Sequence, residues 1–276
     1  MTLDAVLDAL DLCTPRLAKS ADFYALALQC EARFVSPDTV HCSAPGRELR
    51  LRQGDAHRLH ASQFRLASPR GLSDYARRFE GQAFAQWDVA HADGPRLTLT
   101  DPEGRLIRFH ASASTPAPQE TAGTWEARLQ HYAVRTPDPE RLVRFYVEQI
   151  GFVASDFVRD ADGVLRAAFL RTDHEHHSLA IFHAPQVRFD HFSCETRDWH
   201  RLRDWADHMG RQSISLVWGV GRHGPGNDTF FLVADPDGNL AEISCDLESC
   251  EDDRPAGLWA HHPSTLNQWG MAIMRS

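Results

Sequence analysis

Lysine is almost missing from this 276-residue chain: Lys19 stands alone, and every other basic residue is arginine. Nor is there a basic excess. Acidic residues number 38 against 29 basic ones, a formal net charge of −9, which argues against a nucleic-acid partner because such partners demand a basic face. No apolar run approaches the ~20 residues needed to cross a bilayer, so no membrane partner is expected. The opening residues MTLDAVLDALDLCTPR lack the charged start and small-residue cleavage site of a signal peptide, which leads to an expected cytoplasmic location. Six cysteines (Cys13, Cys30, Cys42, Cys194, Cys245, Cys250) form no C-x-x-C pair, which excludes a zinc–thiolate motif and leaves no dense disulfide framework. They read as reduced core residues. The sixteen histidines stand out instead, and imidazole is the commonest protein ligand of transition metals.

The chain repeats itself. LDLCTPRLAKSADFYALALQC (10–30) lies over YAVRTPDPERLVRFYVEQIGF (132–152), so that Thr14-Pro15 meets Thr136-Pro137 and Phe23-Tyr24 meets Phe145-Tyr146. Further on, Asp101-Pro102-Glu103-Gly104 echoes Asp235-Pro236-Asp237-Gly238, each followed by a strand-like run. Both four-residue pieces read as turns. Each half divides again into a short strand, a helix and further strands. Helical patterns fall near 16–29 and 71–80. A third helix is capped by Asp138, with Pro139 in its first turn and Gly151 as its stop. In a fourth, Trp199, Leu202, Ala206 and Met209 form the apolar stripe. The expected organisation is a domain at 1–113, a Ser/Pro/Ala-rich linker at 114–123, a second domain at 124–250, and a tail at 251–276 that docks on the body.

Three polar residues interrupt apolar strands of the second half. His131 lies in ARLQHYAVRT, where alternation gives it a face with Leu129 and Ala133. His191 lies in VRFDHFSCET, sharing a face with Phe189 and Ser193. Glu242 lies in NLAEISCDL, sharing a face with Leu240 and Ser244. The two histidines open successive units 60 residues apart, so equivalent strands present equivalent side chains. A buried carboxylate costs several kcal/mol unless something neutralises it. Two imidazoles and one carboxylate on facing strands compose the facial triad of non-haem Fe(II), which leaves coordination positions open. At the aligned positions the first half has Ala9, Gln63 and Arg108, which cannot hold a cation. The scaffold therefore does not require the triad, which weakens the duller reading of scattered core histidines around a satisfied glutamate.

With these residues in view, the chain resembles the type I extradiol ring-cleavage dioxygenases of the vicinal oxygen chelate superfamily. The resemblance spans nearly the whole length, and its most specific stretch is GRHGPGNDTFFLVADPDGNLAE (221–242). It implies an α+β fold of two domains, each made of two βαβββ units (four repeated modules), with the first domain lacking a metal site and the active site in the second. It implies His131, His191 and Glu242 as ligands of Fe(II), with Mn(II) the alternative. The family's acid/base histidine falls on His177, with His176 one position away and expected on the opposite face. The histidine of the GRHG motif falls on His223. Phe189, Trp218 and the tail around Trp259 or Trp269 are expected as apolar walls for substrate.

Two positions depart from the family. Leu232 stands where the family has a substrate-binding tyrosine. Trp218 stands where homoprotocatechuate-cleaving relatives carry an arginine for a carboxylate, which points to an uncharged or aromatic substituent. His174/His176 and His261/His262 have metal-like spacing but read as solvated or tail residues. The implied activity is ring cleavage of a catechol-type diol with O₂, in aromatic hydrocarbon catabolism, by a homo-oligomer. The alternatives are a glyoxalase-like metal-dependent isomerase or lyase, and a metal-free ligand-binding member of the same superfamily.

Overall fold

The computed structural model describes residues 2–112 and 124–274; the linker expected at 114–123 lies outside the described residues. Four βαβββ units follow one another. The first is β1 (Ala5–Thr14), α1 (Leu17–Ala27), β2 (Glu31–Ser36), β3 (Thr39–Ala44) and β4 (Arg47–Gln53). The second is β5 (Arg58–Leu66), α2 (Pro69–Arg77), β6 (Ala85–Asp88), β7 (Arg96–Thr100) and β8 (Leu106–Ala111). The third is β9 (Arg128–Thr136), α3 (Pro139–Arg144), β10 (Val153–Arg159), β11 (Leu165–Arg171) and β12 (Leu179–His183). The fourth is β13 (Arg188–Glu195), α4 (Trp199–Arg211), β14 (Leu216–Arg222), β15 (Thr229–Ala234) and β16 (Leu240–Cys245). The tail adds β17 (Gly257–Ala260) and the short α5 (Pro263–Leu266).

Local chemistry sets the helix ends. The Asp138 carboxylate accepts from Arg141 N with Pro139 in the first turn, and a six-residue π-helical continuation (Phe145–Ile150) runs to Gly151 at φ 98°. Asp198 caps α4 in the same way. The stripe of α4 differs from the sequence expectation: Trp199 is 44% exposed, and Trp205, 0% exposed, fills the interior instead. Trp199 packs edge-on against Trp269 of the tail.

Two sheets result, ordered β2-β3-β4-β1-β5-β8-β7-β6 and β14-β15-β16-β13-β9-β12-β11-β10-β17. In each, the two units meet through antiparallel opening strands, β1 with β5 and β9 with β13. One apolar cluster runs through both sheets and all four units, including Leu10, Phe64 and Phe109 from the first half and Tyr132, Phe152 and Phe231 from the second. Phe64 meets Phe152 edge to face with ring centroids 5.5 Å apart. The repeated motifs lock the halves crosswise. Tyr24 Oη donates to Asp235 Oδ2 (2.8 Å) and Tyr146 Oη to Asp101 Oδ2 (3.4 Å). Likewise the Thr14 hydroxyl donates to Asp237 and the Thr136 hydroxyl to Glu103.

The tail docks on the second sheet, where β17 adds parallel to β10. It then closes over the glycine-rich run 221–226. A Cβ on Gly224 would lie 2.8 Å from Thr265 O and 2.9 Å from Trp259, so this approach requires glycine.

Candidate metal centre

The strands carrying the two histidines are both bulged one residue before the ligand. On β9, His131 pairs with Ser193 and Leu129 with Cys194, leaving Gln130 as the extra residue; on β13, Asp190 is extra between Phe189 and His191. A bulge lets neighbours i and i+1 stay on one side of the strand. Gln130 Oε1 thus lies 2.6 Å from His131 Nδ1, and Asp190 Oδ1 lies 2.6 Å from His191 Nδ1. The Gln130 amide is oriented by donating from Nε2 to His177 O (2.8 Å), so Oε1 accepts the His131 Nδ1–H. Asp190 is paired with Arg135 and accepts the His191 Nδ1–H. Both rings are therefore fixed with the proton on Nδ1, and both Nε2 lone pairs point inward.

The two Nε2 atoms are 3.3 Å apart, a distance at which two lone pairs repel unless something positive sits beside them. His131 Nε2 is 3.6 Å from Glu242 Oε1. Glu242 is 1% exposed, and among the described residues no hydrogen bond reaches either of its oxygens. Its register on β16 opposite Ser193 puts it on the same face as His131. Burial alone would raise the Glu242 carboxyl; the facing His223, His191 and His131 outweigh that and hold it below the usual range. Burial pushes His131 down to about 3, so it stands neutral. One donor atom from each of the three residues lies within 4.8 Å of the others. Converging imidazole lone pairs and an orphaned buried carboxylate suit a divalent cation.

A pocket opens beside the three donors, lined by His131, Phe169, His177, Ala180, Phe182, His191, Trp218, His223, Pro225, Leu266 and Ile273. His177 lies against His131 with ring centroids 4.3 Å apart; burial and the neighbouring histidines push it well below the ordinary imidazole range. His176 is buried as well, contrary to the expectation of a solvated pair, and its Nδ1 lies 3.0 Å from His177 Nδ1. His223 stacks on Phe230 at 3.8 Å, and its Nδ1 donates to Leu266 O (2.6 Å). Its Nε2 faces Glu242 Oε2 at 3.7 Å. Burial disfavours its cation, yet Asp228 and Glu242 outweigh this and raise its pKa.

Several expectations need correction. Phe189 does not line the pocket. The Asp190 bulge breaks the alternation and turns Phe189 into the shared core, and the Gln130 bulge does the same to Leu129. The tail contributes Leu266 and Ile273 to the wall, whereas Trp259 packs behind it on Phe169 and Phe182 and its neighbours, and Trp269 is half exposed under Arg222. Trp218 does line the pocket, held by Nε1 donating to Met271 O (2.9 Å). Leu232 is buried with Trp218 and Phe230, and all four tyrosines are committed to the core, at Asp235, Ile150, Ser62 and Asp101. Sequence reasoning missed Gln130, Asp190, Phe169, Phe182 and Asp228. Asp228 is fully buried with, among the described residues, no hydrogen bond to either carboxylate oxygen, and burial pushes it up to about 7. An acid opening the apolar run TFFLVA was its signal.

Residues 128–243 match the Glyoxalase/Bleomycin resistance protein/Dioxygenase superfamily. Metapyrocatechase 2 of Cupriavidus necator is 25% identical, over 96% of this chain and 83% of that protein. The homoprotocatechuate 2,3-dioxygenase of Arthrobacter globiformis superimposes with a TM-score of 0.80 at 26% identity, covering 99% of this chain and 90% of that one. The Mn(II)-bound glyoxalase of Novosphingobium aromaticivorans gives a TM-score of 0.82, covering 98% and 92%, at 21% identity, a likeness of fold alone.

Proposed function

From the match of residues 128–243 to the Glyoxalase/Bleomycin resistance protein/Dioxygenase superfamily and the likeness to extradiol dioxygenases over nearly the whole chain, we propose that this protein is a metal-dependent dioxygenase that opens a catechol-type ring beside its two hydroxyls, the extradiol cleavage, with O₂ as co-substrate. The observation that carries this reading is the inward convergence of His131 Nε2, His191 Nε2 and the unsatisfied Glu242 carboxylate beside an apolar pocket. A divalent ion held by these three, Fe(II) in this reading with Mn(II) as the alternative, would supply the Lewis acid and the common template for diol and O₂.

The other residues have complementary tasks. Neutral His177 takes a hydroxyl proton from the diol and returns it as the ring opens. His223, biased toward its cation by Asp228 and Glu242, steadies an anionic oxygen at the pocket wall. Phe169, Phe182, Trp218, Leu266 and Ile273 keep water away, and Trp218 favours a diol with an uncharged or aromatic substituent. The pocket is closed down to about 30 Å³, well short of the ~150 Å³ that admits a benzene-sized ring. Substrate entry therefore requires lining side chains to move aside.

We assign the metal-free role to residues 1–113 and catalysis to 124–250, within a cytoplasmic homo-oligomer serving aromatic hydrocarbon breakdown. The test is anaerobic loading with Fe(II), then catechol or 2,3-dihydroxybiphenyl and air, following O₂ uptake and the coloured ring-opened product. A chain that binds Fe(II) and consumes no O₂ with any diol refutes the reading. Leu232, which brings no hydroxyl to the pocket, favours a second reading, a glyoxalase-like isomerase; that enzyme would turn over without O₂.

A further inference from the structure

Behind His177 lies a buried chain of polar groups that the proposed chemistry does not use. His177 Nδ1 is 3.0 Å from His176 Nδ1, and His176 Nε2 is 3.1 Å from Asp156 Oδ2, a close contact bent from the line of its N–H. Asp156 and His176 are 0% exposed and His177 is 3% exposed. Asp156 is in turn held by the tail. Trp259 Nε1 donates to Oδ2 (2.7 Å), and Gly257 N (3.1 Å) and Arg254 Nη2 (3.2 Å) donate to Oδ1. A Cβ on Gly257 would lie 2.4 Å from Asp156 Oδ1, so β17 reaches the carboxylate only because glycine is there.

With His176 neutral, these contacts leave one proton arrangement without a clash of lone pairs. The Asp156 carboxylate can only accept, so His176 carries its proton on Nε2. His176 Nδ1 is then an acceptor, and the nitrogen opposite it, His177 Nδ1, must be the donor. His177 Nε2 is left with the lone pair. The reverse tautomer would set the His176 Nε2 lone pair against the carboxylate.

We propose that Asp156 and His176 are positioning residues that fix the tautomer of His177, with its basic Nε2 toward the pocket, and that the tail completes the array. The proposal rests on His177 as the acid/base group. When His177 Nε2 takes a hydroxyl proton, the imidazolium keeps its Nδ1–H on His176, and the Asp156 charge two links away balances it. No proton needs to travel to Asp156.

Nitrogen-15 spectra of the full-length chain labelled at histidine read the His177 tautomer directly, with His177→Gln used to assign its signals. In the unaltered protein His177 should give the Nδ1–H pattern. Asp156→Asn should convert it to a mixture or to Nε2–H, and Trp259→Phe, which removes one donor to Asp156, should shift it less in the same direction. With Fe(II) loaded, Asp156→Asn should lower kcat about tenfold or more, with KM and metal content unchanged. An unaltered tautomer in both variants overturns the proposal; so does an Nε2–H pattern in the unaltered chain. Should no diol be cleaved by any form, the spectra still decide the array, and only the dioxygenase reading fails.

Discussion

The two halves of the molecule repeat one backbone and use it for opposite ends. In the second half the concave face holds His131, His191 and Glu242. Strand pairing puts Ala9, Ala61 and Arg108 at the matching points of the first. Both halves are bulged at the same places, at Asp8 and His60 as at Gln130 and Asp190. In the first half Arg108 Nη1 donates to Asp11 Oδ2 (2.7 Å) and Gln63 Nε2 to Asp11 Oδ1 (2.8 Å), so that face neutralises itself. The second half leaves a buried carboxylate with no hydrogen bond. Since the bulged frame exists without the donors, folding does not account for them; binding does.

The contrast can be tested by making each half resemble the other. The largest effect belongs to His191→Ala, which copies Ala61. Metal content should fall from about one ion per chain to almost none, and ring cleavage by at least about 1000-fold, with the fold intact by circular dichroism. Stoichiometric metal in this variant would undo the comparison.

Second is pH. His131 is pushed by burial down to about 3, whereas an unfolded imidazole titrates near ~6.5. The folded value is the lower one, so its contribution to stability is complete above ~6.5 and is lost progressively as pH falls toward 3. Denaturant titrations of metal-free protein should show a loss on the order of 5 kcal/mol across that window. His131→Ala, copying Ala9, should flatten the curve.

Third, Asp11→Ala strands Arg108, whose side chain is 15% exposed, and should cost about 3 kcal/mol without altering metal content. Smaller still, Asp190→Ala should weaken metal affinity ~10- to 100-fold by removing the acceptor for His191 Nδ1–H. The same titration after changing His60, its counterpart, should show no change.

Much of this was legible in the sequence because repetition is visible without structure. The Thr-Pro, Phe-Tyr and Asp-Pro-x-Gly pieces located the two halves, the helix and strand patterns divided each again, and the polar interruptions of apolar strands located the donors. What stayed hidden followed from bulges. Counting by twos puts Phe189 beside His191, an alternation that the extra residue at 190 breaks; the match of His191 with Gln63 gives way to Ala61, which strand pairing sets as the counterpart. A bulge in an irregular strand leaves no mark in composition. Long-range packing was equally silent. Trp205 and Trp199 are both spaced plausibly on α4, and packing against Trp125, Glu126 O and Arg47 decides which is covered. Asp156, twenty residues before His176, gives no sign of meeting it until β10 and β17 pair.

The crosswise clamp of Tyr24 on Asp235 and Tyr146 on Asp101 has a consequence for cutting the chain. Both contacts, and the two threonine bonds beside them, lie outside the stretch from 113 to 123. A backbone severed there keeps every one of them. Fragments made apart therefore carry matching halves of the same fastening and have the means to reassemble into a working whole.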